Sequence, residues 1–219
     1  YLDRLSPGAR SSQRHWHSAE DEFALVLSGH ATLIDDDGPQ PLAPGDACCW
    51  RHGEPNGHHI LNDGDQPFVY LIVGSRALGD VCTYPDEDER QVNTDTEWWI
   101  EDGAGQRVEG GSLPAHLLNL APAWGRDYDG KSLPRLIKAG SVAPVSGGGY
   151  PQGLDDLGDY RAYPLSDAGG LTQFGAFTET LLPGSQSSQR HWHEAEDEFL
   201  YVLDGRVTVL EDDGPHDLG

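Results

Sequence analysis

The stretch Gln13-Arg14-His15-Trp16-His17-Ser18-Ala19-Glu20-Asp21-Glu22-Phe23 is spelled a second time as Gln189-Arg190-His191-Trp192-His193-Glu194-Ala195-Glu196-Asp197-Glu198-Phe199. An extended strand sends alternate side chains to one face, so His15 and His17 aim their imidazoles together while Trp16 faces the other side. Glu22 and Glu198 then open the apolar runs Phe23 to Leu27 and Phe199 to Leu203, which close in Ser-Gly and Asp-Gly turns. Two neutral imidazoles and a carboxylate make a borderline-hard donor set, suited to a divalent iron, manganese, nickel or zinc ion. Such a set predicts a further ligand downstream.

Around this stretch the chain reads as short strands cut by turns. Pro7-Gly8, Ser28-Gly29, Asp37-Gly38, Pro44-Gly45 and Asp63-Gly64 separate segments rich in apolar and β-branched residues, of which Phe68 to Val73 is the most continuous. That punctuation predicts an all-β sandwich or barrel built from hairpins. Residues 1–43 align with residues 177–219 at more than half identity, an internal duplication. The copied part stops short of any counterpart of the later histidines at 58 and 59. Residues 1–82 are therefore expected to form one unit, residues 83–149 an irregular extension with one short helix around Leu117 to Leu120, and residues 150–219 the opening part of a second unit. Gly147-Gly148-Gly149 reads as a linker and Asp86-Glu87-Asp88-Glu89 as a solvated face. Trp98-Trp99 is expected to anchor the extension on the barrel.

Composition narrows the partners. The net charge is −23 with two lysines among 219 residues. Such a field repels nucleic acid and anionic lipid, so the expected partner is a small molecule, with no nucleic acid and no membrane. No run of eighteen apolar residues and no basic-then-apolar leader is visible, and a cytoplasmic location is the default expectation. Cys48, Cys49 and Cys82 form neither a disulfide framework nor a Cys-x-x-Cys motif and are expected to be buried free thiols. The chain contains no methionine, which predicts that it begins inside a longer gene product.

With these residues in view, the chain resembles a tandem, bicupin-like member of the cupin superfamily whose second unit is truncated. The first cupin motif, a Gly, a His-x-His, a Glu and a later Gly, is matched by Gly8, His15, His17, Glu22 and Gly29. The second motif is matched by Gly45, Gly53, His58 and Asn62, with Arg51 standing where the family usually has Pro. The resemblance implies a double-stranded β-helix (jelly-roll) barrel with a partial second barrel. It also implies a metal site of His15, His17, Glu22 and His58 and an incomplete one of His191, His193 and Glu198. Strand alternation lets only one of His58 and His59 face inward; the spacing to Asn62 favours His58.

His58 can complete one of the two sets, and local hairpin closure favours the first. Gln13, two residues before His15, is expected to face inward and hold a metal-bound water or a substrate oxygen, with a wall hydrogen bond as the alternative. Arg14 is expected to face outward and pair with a carboxylate. His30, His52, His116 and His216 are expected at the surface. Function is expected to be metal-dependent catalysis on a small polar metabolite, of the dioxygenase or the sugar-phosphate isomerase, epimerase or lyase type. The alternative is a non-catalytic ligand-binding or sensing module. Cut barrel edges predict a homodimer.

Overall fold

The computed structural model describes residues 1–118, 120–146, 150–151, 153 and 156–219. Gly147 to Gly149 lie outside the described residues, as does the side chain of His116. The chain divides into two compact units, 1–143 with 164–177, and 144–163 with 178–219.

Three sheets build the first unit. One has the order β1 (Leu2–Leu5), β8 (Phe68–Gly74), β3 (Glu22–Ser28), β6 (Ala47–Trp50), β13 (Leu136–Ile137). The second runs β5 (Gly38–Leu42), β4 (Ala31–Asp35), β7 (His59–Leu61). The third is a meander, β12 (Arg107–Ser112), β11 (Glu97–Asp102), β10 (Glu89–Asn93), β9 (Val81–Tyr84), with β2 (Trp16–His17) on its edge. β3 lies between β8 and β6, which explains why its apolar run is buried on both faces. β4 has one wet face and alternates accordingly.

Side chains of the first two sheets merge into one core, with Ala24 and Val26 of β3, Leu33 of β4, Leu42 of β5, Cys48 and Trp50 of β6, Ile60 of β7, and Phe68 and Tyr70 of β8. Fully burying each of the larger ones contributes about 1.5–3 kcal/mol. The turn at Gly29 needs glycine: φ is +84°, and a Cβ there would lie 2.5 Å from the Pro67 carbonyl oxygen. All three cysteines are buried and free, as composition suggested. Burial pushes the Cys49 thiol up to about 12.

The region after residue 82 departs from the sequence reading. Residues 81–112 are an ordered antiparallel meander rather than an irregular extension. Its polar strands, such as Glu89-Arg90-Gln91-Val92-Asn93, carry almost no apolar alternation. The short helix is a single 3-10 turn at Ala115–Leu117. Trp98 and Trp99 sit in β11, and the Trp99 ring is covered by the Arg107 guanidinium of β12 at 3.5 Å, so these contacts stiffen the meander itself. Asp86 to Asp88 are exposed, as expected of a charge run.

Residues 164–177 also return to the first unit through the helix α1 (Leu165–Ala168) and Gln173. The buried Asp21 carboxylate accepts hydrogen bonds from the backbone N–H groups of Thr172 (2.6 Å) and Gln173 (2.9 Å). It also accepts from the N–H (2.8 Å) and Nδ1 (2.5 Å) of His52. His52 is thus a buried residue and not a surface one: it follows β6 directly and closes onto Asp21.

The second unit holds two hairpin-like sheets, β14 (Tyr160–Pro164) with β15 (Phe177–Leu181), and β16 (Val207–Glu211) with β17 (Gly214–Leu218). Phe199 to Leu203, the copy of β3, forms no strand, and Phe199 is 76% exposed where Phe23 is 5%. In the first unit β6 and β8 flank that run; among the described residues of the second unit no strand does.

Candidate metal centre

Backbone pairing brings the two motifs together. His15 and His58 face each other across an antiparallel bridge, with N···O distances of 3.1 and 2.9 Å in the two directions. The His17 carbonyl accepts from Gly53 N–H at 2.8 Å, and Glu22 opens β3 opposite Trp50 of β6. Four side chains therefore converge. Oε2 of Glu22 lies 3.7 Å from Nε2 of His15, 3.7 Å from Nε2 of His17 and 3.0 Å from Nε2 of His58. Such separations suit donors placed about 2.0–2.2 Å from a common centre.

The other ring nitrogens are all engaged. Nδ1 of His17 meets Asp80 Oδ2 at 2.6 Å, Nδ1 of His15 meets the Gln13 carbonyl at 2.8 Å, and Nδ1 of His58 meets the Asn56 carbonyl at 3.5 Å. At His15 and His17 an acceptor at Nδ1 puts the proton there and leaves Nε2 as a lone-pair donor toward the cluster, the orientation of metal-binding histidines, while Nε2 of His58 donates to Glu22 Oε2 at 3.0 Å. The residues present fit a divalent cation. Trp50 stacks flat on His58, with centroids 4.0 Å apart and planes 8° from parallel, and fixes that ring.

Electrostatics act differently on His15 and His17. Burial and the neighbouring charges of His58 and His17 pull His15 down to about 4, which favours its neutral ring at neutral pH. Burial opposes charge on His17 too, yet Glu22 and the Asp80 hydrogen bond outweigh it and raise the group. Burial also acts on Glu22, but the three imidazoles hold its carboxyl well below the usual range.

The cavity at the cluster is lined by His17, Glu22, His58, Trp50, Arg51 and Arg135 together with Trp16, Glu20, Glu54 and Asn56. It encloses about 10 Å³, room for one water-sized particle, within a cleft of about 230 Å³ counted out to open solvent. Arg135, carried by the residue before β13, pairs with Glu54 (2.7 Å), Asp35 (3.2 Å) and Asp37. Glu20 is half-buried, accepts from Ala77 N–H at 3.0 Å, and has its carboxyl raised chiefly by burial.

Of the residues singled out in the sequence, His15, Glu22 and His58 form one group at ligand distances, and His17 reaches the same Glu22 oxygen at 3.7 Å while also grouping with His15 and Cys82 and with Glu20 and Asp80; His59 sits in β7 outside the cluster. Gln13 corrects one expectation. It is exposed on a bend, since the strand begins only at Trp16, and its carbonyl rather than its side chain serves the site by accepting from His15. Arg14 pairs with Asp86 and Asp36, which raise its guanidinium despite some burial. His30 and His216 are exposed.

His191, His193 and Glu198 are grouped in the second unit, with Glu198 Oε1 at 3.8 and 3.7 Å from the two Nε2 atoms. The His191 Nδ1 contact to the Gln189 carbonyl at 2.7 Å repeats that of His15. This group is exposed and, among the described residues, contains no third histidine. Asp80, Trp50, Glu54 and Arg135 were not singled out in the sequence, because their neighbours in the site are far away along the chain.

An all-β fold with three imidazoles and a carboxylate grouped in it defines a β-rich protein whose residues could hold a metal ion. The cupin domain family matches residues 1–74 and 177–219, just over half of the chain, and the chain belongs to that family. Among solved structures it is similar to a sugar phosphate isomerase of the cupin superfamily from Silicibacter pomeroyi, at 38% identity over 52% of this chain and 70% of that one, TM-score 0.42. It is also similar to a candidate sugar phosphate isomerase from Acidithiobacillus ferrooxidans, at 36% identity over 49% and 69%, TM-score 0.46. A predicted oxalate decarboxylase from Thermotoga maritima shares 29% identity over 33% and 61%, TM-score 0.31. No curated protein matches the chain. The spatial overlaps are modest, and the assignment rests on the domain match.

Proposed function

We propose that the chain is a metal-dependent enzyme acting on a small polar metabolite, with His15, His17, Glu22 and His58 holding one divalent ion. The observation that carries this reading is the convergence of three Nε2 atoms on Glu22 with every Nδ1 already engaged. A divalent ion held there supplies Lewis acidity toward an oxygen-bearing ligand, or oxygen chemistry if it is iron. The protein's part is to fix the donor geometry through Asp80, Gln13 and Trp50 and to wall the cleft with Glu20, Glu54 and the two arginines.

The test compares metal-loaded and chelator-stripped protein on a panel of hydroxy acids and sugar phosphates. Turnover should appear only in the loaded protein and vanish in His58→Ala, while His191→Ala retains it. A natural ligand bound equally well by loaded wild type and by metal-free His58→Ala, with no turnover, would instead identify a binding module.

A further inference from the structure

Two hydrogen-bond donors in the wall of the cleft have no partner. Among the described residues, Nε1 of Trp50 and Nε of Arg51 are both buried atoms without a hydrogen-bond acceptor, and both residues line the cavity that His17, Glu22 and His58 share. A buried donor left unmade is costly, and more so when it carries charge. The Trp50 side chain is 6% exposed and cannot turn to solvent, because its ring is stacked on His58.

Arg51 is fixed at its far end. Its NH2 group donates to the carbonyls of Arg126 (2.7 Å) and Asp127 (2.5 Å), and its guanidinium lies 5.9 Å from the Tyr128 ring centre. These hydrogen-bond partners are neutral carbonyls, and the carboxylate that Arg51 acts on through space, Asp129, forms no ion pair with it among the described residues. Arg135, the other cation of the cleft, is by contrast matched by Asp35, Asp37 and Glu54.

We infer that Trp50 Nε1 and Arg51 Nε form an oxyanion subsite, and that the ligand is a small acid whose anionic group accepts from both while a neighbouring oxygen meets the metal centre. The inference rests on the metal-centre reading for the second contact alone. The subsite is a property of this chain rather than of the motif, because Arg51 stands where the family pattern has proline. Carboxylate and phosphate share the chemistry, and the probes separate them.

Glycolate, inorganic phosphate and neutral ethylene glycol are titrated calorimetrically into manganese-loaded and metal-free protein, with Trp50→Phe and Arg51→Gln alongside. Trp50→Phe keeps a ring on His58 and removes only the N–H. Manganese content and thermal melts establish that each variant is folded and loaded. One of the two anions should bind the loaded protein at least about tenfold more tightly than ethylene glycol. Trp50→Phe should weaken that anion about tenfold and Arg51→Gln about 10- to 100-fold, the loss expected for a neutral and a charged donor respectively.

A preference for glycolate assigns a carboxylate ligand, and a preference for phosphate a phosphoryl one. If the chain takes up no manganese, the metal reading fails, yet the subsite stands provided the metal-free protein still binds an anion in a manner sensitive to both substitutions. Anion binding that both variants retain at wild-type strength, or no preference over ethylene glycol in either form, overturns the inference and leaves the two donors to water.

Discussion

Replacing Asp80 by asparagine probes the metal centre without touching a ligand. Asp80 is 1% exposed and accepts from His17 Nδ1 at 2.6 Å, Ala19 N–H at 2.9 Å and Ser18 Oγ at 3.3 Å. The amide keeps the volume and one acceptor but removes the charge that fixes the His17 tautomer. Loss of such an outer partner lowers metal affinity about 10- to 100-fold, or roughly 1.4–2.7 kcal/mol. Protons modulate the effect. Glu22 and Asp80 together raise His17 above its ordinary value against the pull of burial, so below that raised value a metal must displace a proton from His17. Asp80→Asn weakens this competing proton as well as the metal, and the affinity gap between variant and wild type should narrow as pH falls through the raised value of His17. Competition against a chromophoric chelator at several pH values measures it, with circular dichroism confirming the fold. Equal affinity in a folded variant at pH 8 would refute the role given to Asp80.

Other expectations follow from the same contacts. Asp21→Ala strands the His52 ring and three backbone donors in a buried site, and should destabilise by about 3 kcal/mol or more in denaturant titration, at about 1–3 kcal/mol per unmade donor. Burial opposes charge on Asp46, but Lys138 and the Ala139 and Ala43 amides outweigh it and hold the carboxyl below its ordinary value. Its contribution is therefore complete above about pH 4, the unfolded value, and is lost as pH drops through the folded one. Asp46→Asn should flatten the acid limb of stability below pH 4 and leave the slope between pH 5 and 7 unchanged. Arg135→Ala leaves Asp35 and Glu54 buried without their cation and should cost about 3–5 kcal/mol by thermal or chemical unfolding.

The parts of the fold written locally were legible in the chain. Alternation placed His15 and His17 together, turn residues marked the hairpins of the barrel, and the spacing from His58 to Asn62 selected the inward histidine. Contacts closed by the chain's return were not. Asp80 meets His17 from 63 residues away, and Arg135 meets Glu54 from 81, so no spacing announces either. Gln13 shows the limit of period-two reasoning, which holds only where the backbone is a strand, and here β2 begins at Trp16. The meander of residues 81–112 was invisible for a related reason: its strands are held by backbone pairing with mostly polar side chains, as in Arg107-Val108-Glu109-Gly110-Gly111-Ser112, all of them exposed.

The duplication shows how tertiary context decides an ambiguous segment. Phe23 to Leu27 and Phe199 to Leu203 share their origin and apolar character, yet only the first is a strand. Pairing to β6 and β8 satisfies its backbone and buries its side chains, and the same sequence signal without those partners stays exposed.

The most direct test of the central claim is elemental analysis of the purified chain after loading with excess divalent metal and removal of the unbound fraction. The account predicts about one tightly held ion per chain, as four converging donors of this kind require, and its loss in Glu22→Ala and His58→Ala but not in Glu198→Ala. A chain that retains no metal, or one that keeps its metal in His58→Ala and loses it in Glu198→Ala, would contradict it.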